Sequence, residues 1–568
     1  MGALDRVFRG RRGGQERPAA AIVAGLWRNG EQGVWYDPSD LSTMYQDAAG
    51  TTPVYMPGQG QVDPPVGLLL DKRKGLARGP ERLVNGDFSA GAANWSVSGN
   101  DATHIATFSG GTLRFQSDTT SPVMLVQQLG AMVTGRWYEI TVTVSAWVSG
   151  SIKSDNFVQS GLTLASGAGV YKVIGLAAGT TFAFLRASAN VDLTIDSISL
   201  REVLGNHAYQ TTTTCRPTLS ARYNLLLSSE NLAAAPWSIN GTSTRTAEFS
   251  TAPNGTLTAT RIQLGTLASD EVRQVFSTTA GAGVGYTAAI WLKSNTGTDQ
   301  QVRLKNTHIN VIDNFQTVTV TPDWKRFALS VTNGSSAGTG QLFGITNAAG
   351  GGAKDVLAWG ADLRVINDGV GLPEYQRVVD ANNYDTVGFP LHLRFDGVDD
   401  FLQTASVNFS GTDKLFASAA LRKLSDAATG MLLELSPTLG SNSGTFYITA
   451  PGAANTGNVK LATKGTTEVN VATGSSAFPS PASVVASAIM DIAAQLSTLR
   501  VNGAVAQTSS SSLGTGALGN YPIYIGRRAG TSLPFNGRLY SLLVRGAITP
   551  DAQIAKVERY LNAKSRAF

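Results

Sequence analysis

Alternation of apolar and polar residues is the dominant pattern along the chain. In Tyr138-Glu139-Ile140-Thr141-Val142-Thr143-Val144 every second side chain falls on one face, the spacing of a half-buried strand. Short runs of this kind fill residues 80–203. They open at Leu83-Val84-Asn85-Gly86-Asp87-Phe88 and Asn94-Trp95-Ser96-Val97 and close at Leu193-Thr194-Ile195-Asp196-Ser197-Ile198-Ser199-Leu200, and together they predict one β-sandwich. Residues 223–366 repeat the plan. Pro236-Trp237-Ser238-Ile239 stands where Asn94-Trp95-Ser96-Val97 stood, Val272-Arg273-Gln274-Val275 echoes Val126-Gln127-Gln128-Leu129, and Ala289-Ile290-Trp291-Leu292 echoes Val144-Ser145-Ala146-Trp147. Recurrence of order and spacing predicts two copies of one module. Trp147, Trp291 and Trp359 lie inside such strands and are expected in cores. Further on, Asn502-Gly503 suits a tight hairpin, because both residues accept positive φ cheaply. The last segment predicts a short helix with Thr549 as N-cap, Pro550 at the first position, and Ile554, Val557 and Leu561 on one face.

Composition agrees with an all-β chain. Its 568 residues allow about three or four domains. Sixty-two glycines and a charged fraction of 15% favour short strands and turns over long helices. The single cysteine, Cys215, excludes an intramolecular disulfide framework. The formal charge of +5 is small and uneven, since Arg6, Arg9, Arg11, Arg12, Arg17 and Arg28 face only Asp5 and Glu16 in the first thirty residues. Few stacking aromatics accompany this arm, so docking to an acidic protein surface is expected rather than nucleic-acid binding. Ala19 to Leu26 superficially imitates a secretory signal, but the run is short. Nothing approaches the ~20 apolar residues of a membrane span.

Three separated fragments read as one interrupted motif: Trp35 to Thr43 with Asp71-Lys72, then Gly205-Asn206-His207-Ala208 with Arg216-Pro217-Thr218, then Leu393-Arg394-Phe395-Asp396-Gly397-Val398-Asp399-Asp400. Joined in order, they resemble the opening of concanavalin A-like (laminin-G-like) sandwiches of phage and bacterial surface proteins. The later strings Val501-Asn502-Gly503, Ile525-Gly526-Arg527 and Gly537-Arg538-Leu539-Tyr540 are similar to the same family, as is the terminal helix. Residues 79–203 resemble the jelly-roll carbohydrate-binding modules of glycan-degrading enzymes. The expected plan is therefore three β-sandwiches: a basic virion-attachment arm over 1–30, a discontinuous concanavalin A-like domain over 31–78, 204–222 and 367–568, and jelly rolls over 79–203 and 223–366. Insertion is physically reasonable because domain termini lie at the surface and often close together. Val66-Gly67-Leu68-Leu69-Leu70 also calls for burial rather than a linker role.

Catalytic chemistry is sparse. The four histidines, His104, His207, His308 and His392, have no metal-binding spacing. Gly334-Ser335-Ser336-Ala337-Gly338 matches a nucleophile motif but lies in a loop-like stretch without the required strand and helix. No E-x-D-x-x-E glycosidase string occurs, so no catalytic residue is assigned. Asp396, Asp399 and Asp400 could hold calcium, or could close the entry turn of a strand through backbone amides. Trp95 with Asn94, and Trp237 with Asn240, suit sugar stacking, and a core role suits the same tryptophans equally. The resemblance implies a phage virion protein, a tail fibre or spike, that binds host-surface polysaccharide and contacts other virion proteins through its arm. A homotrimer is expected by analogy. The alternatives are a purely structural virion component and a secreted polysaccharide-degrading enzyme with binding modules.

Overall fold

The computed structural model describes residues 21–568 except 22, 57–62, 122, 188, 222–223, 277–284, 310–312, 335–339, 348–350, 366–373, 382, 386–388, 437 and 439. Most of the basic arm and of the Gly334–Gly338 string lies outside the described residues, as do the seams at 222–223 and 366–372. The chain is mostly β-stranded, its sheets pair as sandwiches, and it ends in one short helix. Residues 221–391 fall in one compact unit, and the described residues up to 55, with 64–220 and 392–568, fall in the other.

In the second of these units, an eight-stranded and a nine-stranded sheet are assembled from all three motif fragments. Gly33–Tyr36 pairs antiparallel with Asn536–Arg545, Trp35 lying opposite Leu543. Thr218–Ser220 pairs with His392–Asp396 in the same sheet. In the nine-stranded sheet, Leu68–Leu69 pairs with Ala208–Tyr209, which in turn pairs with Leu402–Thr404. Asp71, fully buried, is the joint. Its carboxylate accepts the amides of Trp35 (2.9 Å), Arg73 (3.0 Å) and Asn206 (2.9 Å) and the Arg73 Nε (2.8 Å), while its own amide donates to His207 Nδ1 (2.9 Å). Burial pushes the Asp71 carboxyl above its ordinary range and pushes His207 down to about 3. The Asn206 side chain donates to Gly33 O, and Lys564 and Lys72 neutralise the buried Asp37. Strand pairs and a buried polar joint thus hold segments hundreds of residues apart in sequence.

Helix α1 (Asp551–Ser565) buries Ile554, Val557 and Leu561, the expected face. Its N-cap is Pro550 rather than Thr549, whose hydroxyl instead accepts from Arg545 Nη1. Asn502 and Gly503 take φ of 52° and 80° at the expected hairpin. The arm expected over 1–30 ends earlier. Val23, Leu26 and Trp27 are buried in a cluster with Trp35, Tyr540 and the α1 face, Trp27 stacks on Trp35 at 6.3 Å, and Arg545 Nε donates to Leu26 O. Of the apolar run that imitated a signal, Val23 and Leu26 are core, while Ala21 and Ala24 are exposed.

The first jelly roll has ten strands that recur in the second: β1 (Ser96–Ser98), β2 (His104–Ser109), β3 (Thr112–Ser117), β4 (Leu125–Gln128), β5 (Trp137–Ser149), β6 (Ile152–Ser154), β7 (Leu162–Ala165), β8 (Gly169–Leu176), β9 (Phe182–Arg186) and β10 (Val191–Val203), and Arg78–Glu81 adds an eleventh, paired with β10. The second has β11 (Ser238–Asn240), β12 (Thr244–Ser250), β13 (Ala259–Leu264), β14 (Glu271–Phe276), β15 (Gly285–Ser294), β16 (Gln300–His308), β17 (Phe315–Val320), β18 (Lys325–Thr332), β19 (Gln341–Asn347) and β20 (Lys354–Val365). Sheet orders β7-β6-β9-β4-β1 and β8-β5-β10-β3-β2 in the first recur as β17-β16-β19-β14-β11 and β18-β15-β20-β13-β12 in the second. The repeat reaches single side chains. Gln128 bonds both the amide and the carbonyl of Val84, and Gln274 does the same with Leu227.

The first roll packs on the nine-stranded sheet through Trp137, which lies 5.4 Å from Tyr209 and 5.7 Å from His207, with Ile174 and Leu176 beside it. The expected boundary of the second roll at 366 moves. Tyr375 packs on Trp359 at 4.7 Å, Gln376 Oε1 accepts the Asn224 amide, and Val378 bonds Ser229, so these later residues complete the second roll.

Candidate functional site

Of the indoles named as sugar platforms, neither has a free face. Trp95 packs against Phe88 (5.5 Å), Phe182 (6.5 Å) and Phe184 (6.2 Å), and its Nε1 donates to Asn85 O. Trp237 lies against Phe343 (6.4 Å), and its Nε1 donates to Leu227 O at 3.1 Å. Both are core residues, drawn in because the indole N–H is satisfied by main chain while the rings bury a large apolar area. Asn94 and Asn240 remain at the surface.

Trp147 is a correction: expected in the core, it is 44% exposed, the most exposed of the nine tryptophans. The register of β5 against β10 shifts repeatedly near Asp192–Ser197, and the last residues of β5 run on without cover. Its ring is nonetheless held, because Nε1 donates to Gly150 O at 2.8 Å. Gly150 takes φ +73° and approaches so closely that a Cβ would come 2.3 Å from Asn190 O, which fixes the turn that positions the indole. At the same end of the sheet Asp192 is gripped by Arg114 (3.0 and 2.8 Å) and Gln116 (3.3 Å). An oriented, half-exposed indole can stack on the apolar face of a pyranose. The signal in the sequence was the break in alternation after Val144, where Trp147-Val148 places two apolar residues together just before Gly150.

Asp396, Asp399 and Asp400 do converge, with one oxygen from each within 4.8 Å of the others. Asp396 Oδ1 accepts the amides of Val398 (2.7 Å) and Asp399 (3.3 Å), and Asp400 Oδ2 accepts that of Asp396 (2.9 Å), which is a turn-closing arrangement. The Cys215 thiol donates to Asp399 Oδ2 at 3.4 Å. Burial, reinforced by the two neighbouring carboxylates, pushes Asp400 up to about 7, a repulsion that a hard cation would relieve. The donor set fits calcium through these three residues. Thermal unfolding with millimolar calcium and then with chelator decides between the roles. A midpoint raised by the ion, and not raised in Asp399→Asn, assigns calcium; an unchanged midpoint assigns the cluster to the turn alone.

No protein-family model matches the chain, and no curated protein matches it. Among solved structures it is similar to the tandem CBM22-1–CBM22-2 modules of Paenibacillus barcinonensis Xyn10C, with 11% identity over 50% of this chain and 98% of that one, TM-score 0.26. It is also similar to the CBM40 of Ruminococcus gnavus IT-sialidase bound to α2,6-sialyllactose (15% identity, 29% and 96%, TM-score 0.23). A third is the SAP-like pentraxin of Limulus polyphemus (11% identity, 30% and 82%, TM-score 0.25). Among the described residues no helix is long and apolar enough to cross a membrane.

Proposed function

We propose that this protein is a non-catalytic adhesin that binds glycans through its β-sandwich modules, carried on a phage particle as a tail fibre or spike and attached through the basic residues at its N-terminal end. The observation that carries the glycan-binding reading is Trp147, a single exposed indole held in place by its own turn. Placement on a virion rests on the interrupted opening motif and the company it keeps. In this reading residues 31–78, 204–222 and 392–568 are one discontinuous domain, and the two rolls are side modules inserted in it. Trimeric assembly would supply the avidity that weak single-site sugar contacts lack.

A glycan microarray probed with the full chain and with Trp147→Ala tests the reading. The wild type is retained on a subset of glycans and Trp147→Ala binds them about tenfold more weakly, the scale of one lost stacking contact. Retention of no glycan, or equal retention of both proteins, overturns it in favour of a purely structural virion component. Depolymerisation of the retained glycan by the wild type would instead favour the secreted enzyme.

A further inference from the structure

The five-stranded sheet of the second roll brings two rows of residues onto one outward face. Asn240, Glu271, Thr346, Arg303 and Thr317 stand opposite one another in unbroken register, and alongside them stand Ser238, Arg273, Gly344, Lys305 and Phe315. Directly opposed residues of antiparallel strands share a side, as do residues two apart along a strand, so both rows lie on one side of the sheet, about 19 Å across, with Glu271, Gly344 and Thr346 buried in its middle and Ser238, Asn240, Phe315 and Thr317 exposed at its flanks. The intervening residues Val272, Val302, Leu304, Phe343 and Ile345 are the core of the roll.

This surface carries groups that the fold does not use. Phe315 is 49% exposed, and the Arg303 guanidinium lies 4.5 Å from its centroid. Arg273 is held by Glu271 (3.3 Å) and Lys305 by Asp313 (3.5 Å), whereas among the described residues no carboxylate lies within ion-pair distance of Arg303, and its Nε is buried without a hydrogen-bond partner. Glu271 is 3% exposed, yet its Oε1 is also unpartnered. That oxygen lies over Gly344, where a Cβ would come within 2.6 Å of it. Leaving such buried groups unpaired is destabilising.

The first roll shows that the architecture does not require this. At the matching register positions it has Leu125 for Glu271, Leu185 for Thr346, Ala183 for Gly344, and Lys153, neutralised by Asp155, for Arg303. The same strand order therefore stands with leucines in place of Glu271 and Thr346 and with its one lysine neutralised, so the fold does not demand the buried carboxylate or the unpaired guanidinium of the second copy.

We propose that this face of the second roll binds a carboxylate-bearing saccharide chain, with an acid group on Arg303, a sugar ring on Phe315, and Asn240 as a hydrogen-bond partner for hydroxyls. This rests on the glycan-binding reading and adds a second site and a ligand class to it. A guanidinium–carboxylate contact supplies charge, hydrogen bonds and planar fit together, and the ring beside it supplies the stacking surface.

The test is calorimetric titration of the full chain with oligogalacturonate, oligomannuronate and oligosialate, each also as its methyl ester, against wild type, Arg303→Gln, Phe315→Ala and Trp147→Ala, with circular dichroism confirming folding. At least one acid oligomer binds the wild type. Arg303→Gln weakens it about tenfold and abolishes the preference for acid over ester, while Phe315→Ala weakens acid and ester alike. Acid binding that survives both substitutions but falls in Trp147→Ala overturns this inference and leaves the general reading standing. Neutral or esterified glycans binding as well as acids to the wild type also overturns it. Absence of binding by every glycan, on the array and in solution, overturns both.

Discussion

Replacing Asp71 by alanine lowers the stability of the split sandwich by about 4 kcal/mol. Four donors, the amides of Trp35, Arg73 and Asn206 and the Arg73 Nε, converge on this carboxylate, and each lies where water cannot replace it, because Asp71 is fully buried. Truncation leaves buried donors unsatisfied and strands the guanidinium of Arg73, a situation that costs 3–5 kcal/mol where it has been measured for buried pairs. The two rolls have their own cores, so a single unfolding midpoint does not isolate the effect. Amide exchange of Gly33–Tyr36 and Ala208–Tyr209 does. Those amides exchange hundreds-fold faster in Asp71→Ala, while the core strands of the second roll keep their protection. Unchanged exchange at Gly33–Tyr36 would show that the joint contributes nothing.

The second large effect is a pH dependence with an unusual sign. Glu434 has no exposed side-chain surface, lies between Tyr524 and Tyr447 in cross-strand register, and meets Arg528 Nε at 3.1 Å. Burial outweighs that guanidinium and pushes its carboxyl up to about 7 from an ordinary 4.5. The folded state therefore holds this proton more tightly than the unfolded chain does. Its contribution is fully present below about pH 4.5 and is lost as the pH rises to about 7, which amounts to ~3 kcal/mol. In Glu434→Gln no proton is at stake. The stability difference between variant and wild type shifts in favour of the variant by ~3 kcal/mol between pH 4 and pH 8, measured by denaturant unfolding followed at the nine-stranded sheet. A difference independent of pH would contradict the assignment.

What the sequence disclosed was local periodicity and a motif whose residues are polar for structural reasons. Asp37, Asp71, Asn206 and His207 could be picked out because each must be satisfied in a buried joint, and their spacing along the chain carries that demand whatever is inserted between them. The repeat of the rolls was visible for the same reason at Gln128 and Gln274. Surface chemistry was not visible. Alternation assigns a side of a strand but not whether another layer covers that side, so Trp147 read as core, and Trp95 and Trp237 suited platform and core equally. The row that joins Glu271 to Arg303 depends on the register of three strands, which no local window contains. Glu434 was hidden likewise, since its neighbours Tyr524 and Arg528 lie about ninety residues away.

Fragments hundreds of residues apart in sequence pair in the sheets of one sandwich. Amide hydrogen exchange of the intact wild-type chain tests this most directly. Gly33–Tyr36 and Thr218–Ser220 are predicted to exchange as slowly as their partners Asn536–Arg545 and His392–Asp396, and to lose protection together with them as denaturant is raised. Rapid exchange of the two short segments while the C-terminal strands stay protected would make them linkers, and the chain a linear string of modules.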